Sequence, residues 1–377
     1  MVQLKLLAFA PLALAVPFSK RAPQNLNLQG HRGSRGETVE QTMPAWARAF
    51  EDGVDTMEGD FGITKDDIAV IWHDEDIQTT KCLDTKPVTA DDPLFPYVGK
   101  YIANLTLAQI KTLDCGSQHL TGFPLALTSP GTKIQTLTQF FEFTNCVDVS
   151  RRLHYNLETK IDPAFPNLTK GPEIFVEKGV EVFKKSGNWK RITHQSFDWR
   201  ALVYSKQKYS DLTTVALFDD TTIDPQGYPR AEDLPIPGDV SPWLANLKIE
   251  DFPGDEPSAQ VVYAAQSIGA SIISPSYRAY NSGDQSTNDI GEPGFVPFIN
   301  STMVNTAHEL GLYVIPWTVN GIKNVEWLVD DLGVDGIITD YPGSIARWLK
   351  QQEIKTPKPW AQERIDYCLK KYNYGRQ

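Results

Sequence analysis

Short runs of aliphatic and β-branched residues alternate along this chain with longer stretches whose apolar positions recur every three or four residues, from about residue 25 onward. The short runs predict strands at 25–29, 54–58, 153–158, 191–196, 213–217, 270–274, 312–317 and 336–339. Between the first two lies "TMPAWARAFEDG", which reads as a helix. Thr42 caps it, Pro44 sits in its first turn, Ala45, Trp46, Ala49 and Phe50 share one face, and Gly53 ends it. The segments "EIFVEKGVEVFKKSG", "AQVVYAAQSIGA", "FINSTMVNTAHELG" and "NVEWLVDDLG" repeat that logic.

Repeated strand–helix units imply a parallel sheet, and this many of them in 377 residues favour a TIM (β/α)8 barrel over an open doubly wound sheet. No G-x-G-x-x-G or Walker loop follows the first strand, which argues against the nucleotide-binding alternative. Residues 75 to about 140 break the alternation and predict a small insertion after the second strand. A proline-rich stretch at 224–239 predicts a lesser excursion. The chain then divides into a leader at 1–21, a barrel at 22–350 and a polar tail at 351–377 whose Cys368 is suited to strap it to the barrel.

The leader "MVQLKLLAFAPLALAVPFSKRAPQ" has a basic residue at Lys5, an apolar core at 6–16, a small-residue site at Ala13-Leu14-Ala15 and a dibasic Lys20-Arg21. That is the build of a secretory signal with a short pro-segment, so a secreted protein, extracellular or wall-associated, is expected. Its apolar run is too short for a stable membrane anchor. Residues 1–21 carry three basic and no acidic residues, so without them the formal net charge of -11 becomes -14, which disfavours a nucleic-acid partner. Cys82, Cys115, Cys146 and Cys368 are even in number and unlike a zinc site in spacing, so two disulfides are expected, with Cys82 and Cys115 the favoured pair. Sequons at Asn104, Asn167 and Asn300 fit a glycoprotein. Oligomeric state has no signature in the sequence.

The chemistry gathers where strands end. Side chains at i and i+2 point the same way on a strand, so Glu58 and Asp60 converge at the end of the second, and Glu158 and Lys160 in "NLETK" repeat the geometry on the third. His31-Arg32 in "GHRG" closes the first strand, and His73 closes the hairpin that follows Asp60. A lone E-x-D pair is common on solvated surfaces. Acids and cations at three successive strand ends, at the barrel face where active sites form, are not. Three carboxylates in one place repel unless a cation sits among them, and oxygen ligands suit one Ca²⁺ or Mg²⁺. That ion with Arg32 and Lys160 would hold a phosphate group, and two histidines suit proton transfer to and from its substituents, so phosphodiester cleavage uses every part. Glu40 would orient His31 or Arg32, and Trp317 would cover an apolar part of a substrate. His119, His154, His194 and His308 read as packing or surface histidines, His154 on the strand face of Glu158 but deeper.

The ordered set "GHRG", "EGDFGITKD", "WHDEDI", "NLETK", "VIPWTVN" and "GVDGIITDYP" resembles the glycerophosphodiester phosphodiesterase family, most closely its secreted eukaryotic members, over residues 27 to 347. The resemblance implies a TIM barrel with a small insertion, metal-dependent hydrolysis of a small glycerophosphodiester to glycerol 3-phosphate and an alcohol, and roles residue by residue. His31 and His73 would be the acid–base pair, Glu58, Asp60 and Glu158 the metal ligands, Arg32 and Lys160 the phosphate contacts, and Trp317 the wall on the alcohol side. "VEQT" stands where the family commonly has P-E-N-T, although Glu40 is kept. Rival readings are a phospholipase D-like cleavage of lysolipid or sphingolipid with a cyclic phosphate product, and a catalytically idle secreted binding protein.

Overall fold

The computed structural model describes residues 25–223, 240–280 and 289–372; the leader at 1–21 and the excursion at 224–239 lie outside the described residues. Among the described residues eight strands run parallel: β1 (Asn27–Gly30), β2 (Thr56–Ile63), β4 (His154–Thr159), β5 (Ile192–Ser196), β6 (Thr213–Phe218), β7 (Ile272–Pro275), β8 (Tyr313–Val314) and β9 (Gly336–Thr339). The short β3 (Ala69–Ile71) folds back antiparallel on β2. Neighbours follow the order β8-β7-β6-β5-β4-β2-β1-β9. The ends of that path meet through backbone hydrogen bonds from Asp335 N to Val314 O (2.9 Å) and from Ile338 N to Pro316 O (3.0 Å), which make the sheet a barrel. This is the expected fold class.

The helices form as their patterns dictate. In α1 (Met43–Asp52) the Thr42 hydroxyl accepts from the Ala45 N–H, and the helix stops at Gly53, whose φ of 80° suits glycine. Its buried face carries Ala45, Trp46, Ala49 and Phe50. Trp46 meets Phe140 of the helix Leu137–Val147 edge-on at 4.9 Å between ring centroids. Fully burying such a ring contributes on the order of 2–3 kcal/mol.

Three departures from the sequence reading matter for the site. The second strand does not stop at Glu58 but runs to Ile63, so Glu58 and Asp60 lie within it rather than at its end. Gly59 and Gly62 interrupt its apolar pattern; a Cβ on Gly59 would lie 3.0 Å from the Trp46 ring, and one on Gly62 3.2 Å from Ile102. The seventh barrel strand, expected over 312–317, pairs regularly only at Tyr313–Val314. The tail contains a helix, Gln362–Lys371, whose pattern is weak because only Ile365 and Cys368 are buried.

The inserted segment has a core of its own, built on Trp72, Ile77, Tyr97, Ile102, Ile110 and Leu113 and stapled by Cys82–Cys115. It leaves and rejoins the barrel at one place, where the Ile71 N–H donates to Gln135 O at 2.8 Å. The second disulfide, Cys146–Cys368, ties the tail helix to the helix Leu137–Val147, and Arg152 stacks 3.6 Å over the Trp360 ring beside it. Among the described residues no helix is long and apolar enough to cross a membrane.

Candidate active site

The carboxyl ends of the strands surround a cavity of about 160 Å³, walled by His31, Arg32, His73, Glu58, Glu158 and Trp317. Register explains the convergence: Asp60 on β2 stands opposite Glu158 on β4, which stands opposite Gln195 on β5. One carboxylate oxygen each from Glu58, Asp60 and Glu158 falls within 4.8 Å of the others. All three residues are buried, Asp60 most deeply, at 1% exposure and behind the cavity wall.

Burial pushes the Glu58 carboxyl well above its ordinary range, reinforced by the charge on Asp60. Burial also pushes Glu158 up to about 8, despite the opposing charge of Lys160. Asp60 is held low, since His73 when protonated, together with the permanent charges of Arg32 and Lys160, overcomes the effect of its burial. Three acids so arranged are fully ionised together only with a cation among them, and an all-oxygen donor set suits a hard divalent ion. The residues present therefore fit such an ion.

The cations are held by acids beneath the cavity. Arg32 donates from Nη1 to both oxygens of Glu40 at 3.1 Å, its Nε lies 3.5 Å from Asp60, and its backbone N–H donates to Glu58 Oε2 at 2.9 Å. Its backbone lies in the left-handed region, with φ of 50°. Backbone of this kind costs on the order of 1–3 kcal/mol and is held here by the Gln41 N–H donating to Arg32 O at 3.0 Å. Glu40 supports Arg32 rather than His31, and it also takes Arg35 at 2.6 Å and Lys81 at 2.7 Å. Burial would raise its pKa, but those three charges hold it well below the usual carboxylate range. Lys160 bridges the two halves of the site, 2.8 Å from Glu158 Oε1 and 3.2 Å from His73 Nε2.

The two histidines are backed differently. His31 Nδ1 lies 2.6 Å from Asp340 Oδ1, and Asp340 Oδ2 accepts from Asn320 Nδ2 at 2.7 Å. Burial and Arg32 lower the His31 pKa, and Asp340 opposes them. His73 Nδ1 lies 3.0 Å from Asp74 Oδ1. Burial, then Arg32 and Lys160, push its pKa well below the ordinary value, so the ring is neutral. Each ring thus has its Nδ1 engaged by a carboxylate, and His73 Nε2 also meets the Lys160 ammonium.

Trp317 is fixed by its indole N–H donating to Ser274 O at 2.8 Å, and it stacks on Tyr280 and meets Phe197 edge-on. Of the remaining histidines, His194 is buried between Thr159 and Ser205, and His308 pairs with Asp335. His154 is not deeper in the barrel but exposed at its opposite mouth, because β4 begins there. Sequence reasoning passed over Asp340, Gln195, Asp74, Lys81, Phe197 and Tyr280. Asp340 had a signal, an acid directly after the last strand; Asp74 and Lys81 had none.

The sequence model described as the glycerophosphoryl diester phosphodiesterase family matches residues 31–344. A glycerophosphodiester phosphodiesterase of Arabidopsis thaliana is 27% identical over 386 residues, covering 92% of this chain and 90% of its own. A crystal structure from Silicibacter pomeroyi DSS-3, named for the same activity, superposes with a TM-score of 0.65 at 23% identity, covering 89% of this chain and 96% of the other. A phosphodiesterase of Oleispira antarctica, solved in complex with the product sn-glycerol-3-phosphate, gives 0.55 at 19% identity, covering 86% and 96%. Both share the fold.

Proposed function

The chain belongs to the glycerophosphoryl diester phosphodiesterase family, and from that premise we propose that it hydrolyses glycerophosphodiesters to glycerol 3-phosphate and an alcohol, with one Ca²⁺ or Mg²⁺ held by Glu58, Asp60 and Glu158. The single observation that carries this reading is the buried triad of carboxylates, two of which, Glu58 and Glu158, share one cavity with His31 and His73. When bound, the ion would neutralise charge on the phosphoryl oxygens. Arg32 and Lys160 bind the same group from either side, and both are charged at neutral pH.

His31 takes the proton from the attacking hydroxyl, that of water or of the glycerol 2-position, because Asp340 stabilises the imidazolium that forms. His73 gives a proton to the departing alkoxide. Its surroundings favour the neutral ring, so it must first take up a proton from solvent, and the imidazolium so formed is a strong acid. Trp317 and Phe197 exclude water from the alcohol side. The two disulfides support a secreted protein, and Asn104 and Asn167 are exposed enough to carry glycans, whereas the Asn300 side chain caps a helix by accepting from Met303 N.

The test is incubation with glycerophosphocholine, with and without EDTA, assaying glycerol 3-phosphate. Activity is expected to vanish with chelation and return with Mg²⁺ or Ca²⁺. Undiminished turnover in EDTA would refute the metal role. A second reading, cleavage of lysolipids, is favoured by one feature: Leu125 and Leu127, 83% and 72% exposed, lie on a loop that also carries Phe123, over which the cavity residue Arg35 stacks at 4.5 Å. Faster turnover of lysophosphatidylcholine than of glycerophosphocholine, lost in Leu125→Ser/Leu127→Ser, would decide for it.

A further inference from the structure

The interior of a (β/α)8 barrel is ordinarily filled by layers of branched apolar side chains. Here the axis holds three primary amides: Gln29 on β1, Asn156 on β4 and Gln195 on β5, at 3%, 1% and 1% exposure. Burying an amide costs free energy unless each polar atom is paired, so a stack of them at a barrel's centre needs a reason. Their hydrogen bonds form one continuous column. Thr56 Oγ1 and Gln29 Nε2 both donate to Asn27 Oδ1, at 3.2 and 2.9 Å. Asn156 Nδ2 donates to Gln29 Oε1 at 3.0 Å and to Gln195 Oε1 at 2.8 Å, while its own Oδ1 accepts from Thr193 at 2.8 Å. Gln195 Nε2 then donates to Glu58 Oε1 at 2.8 Å. The foot of the column opens on a cavity at the amino-terminal mouth of the barrel, lined by Asn27, Gln29, Thr56 and Thr193.

The column has a direction. An ionised carboxylate only accepts, so the end of Gln195 that faces Glu58 must be its NH₂. That requires the Gln195 carbonyl to face a donor, which Asn156 supplies, and Asn156 has both amide hydrogens committed because Gln29 also presents an oxygen. Glu58 is thereby gripped at both oxygens, by Gln195 at Oε1 and by the Arg32 N–H at Oε2. The carboxylate plane is fixed, with one lone pair of each oxygen left for an ion.

We propose that Gln195 is a positioning residue for Glu58 as a metal ligand, and that Asn156 and Gln29, which touch neither ion nor substrate, set which end of the Gln195 amide faces it. This rests on the metal reading above. The experiment titrates Mg²⁺ and Ca²⁺ into EDTA-treated full-length protein by calorimetry, for the parent, Gln195→Met and Asn156→Asp. Gln195→Met keeps length and removes the donor. Asn156→Asp keeps shape but can only accept, so Gln195 must turn over and present its carbonyl to Glu58.

Both variants are expected to bind the ion about 10–100-fold more weakly. Their activity is expected to recover as the ion is raised, with KM for the diester unchanged at saturation, a rescue that a damaged fold would not show. Binding within threefold of the parent in either folded variant overturns the proposal. Failure of both to fold, judged by circular dichroism, overturns it too, since the column is then only structural. A parent that binds neither ion overturns the metal reading itself, which keeps the two failures apart.

Discussion

Replacing Asp340 by Asn tests the least expected part of the site, because it changes one atom and its effect follows from a neighbour. Asn320 Oδ1 accepts from the Asp340 N–H at 2.9 Å, which turns the Asn320 NH₂ toward Asp340 Oδ2 at 2.7 Å. In Asp340→Asn the new carbonyl oxygen must occupy that position, so the new NH₂ faces His31 Nδ1. That nitrogen then has to accept, and the ring proton moves to Nε2, the nitrogen that should receive a proton from the nucleophile. Two losses combine. The 2.6 Å contact between His31 and a charged acceptor is worth about 1.5–3 kcal/mol once the imidazolium forms, or roughly 10- to 150-fold in rate. The wrong tautomer adds to it, and a fall in kcat of about 10²–10⁴-fold is expected. Asp340 also raises the His31 pKa against burial and Arg32, so the acidic limb of the kcat/KM profile should move to lower pH in the variant. The assay is kcat and kcat/KM against pH on glycerophosphocholine at saturating ion, with ion affinity measured alongside. A kcat within threefold of the parent, or a loss accounted for by weaker ion binding, would refute the reasoning.

Two further outcomes are expected. Burial lowers the His194 pKa from 6.5 to about 3, so below pH 6.5 the unfolded chain takes up a proton that the native state refuses, and stability is lost as pH falls toward 3. At about 1.4 kcal/mol per pH unit, His194→Asn should lose about 2–3 kcal/mol less than the parent between pH 6.5 and 4.5; parallel declines in urea melts would contradict this. Cys146–Cys368 spans 222 residues of sequence, and by loop-closure entropy its removal costs up to about 5 kcal/mol. Cys368→Ser should lower Tm and open the tail helix to proteolysis while leaving KM unchanged; an unchanged Tm would rule out a stabilising strap.

The barrel was legible in the sequence because alternation is a local signal: α1 begins and ends where Thr42, Pro44 and Gly53 said it would. The strand that carries two of the acids was misjudged at its far end, since glycines that let Trp46 and Ile102 pack close also erase the apolar run. The proposed metal ligands, histidines and cations could be named because they lie in or just beyond short strands; His31, Arg32, His73, Glu58 and Glu158 wall one cavity, with Asp60 and Lys160 packed behind it. Their supports were hidden for a geometric reason. Asp74 and Lys81 come from an irregular segment, and Gln195 reaches Glu58 over the intervening strand β4, a relation that exists only once distant strands lie side by side in the sheet.

The overlong β2 has a consequence for how this protein can be altered. His73 is fixed by the strand pair itself, since the Trp72 N–H donates to Asp60 O at 3.1 Å, and the chain wanders only after it. The segment that follows returns to the same hairpin at Gln135. It is in effect a cassette plugged into adjacent sockets, and swapping the part beyond Lys81 for a longer or shorter one should change what reaches the pocket while Asp74, which Lys81 holds, still backs the imidazole at its doorway.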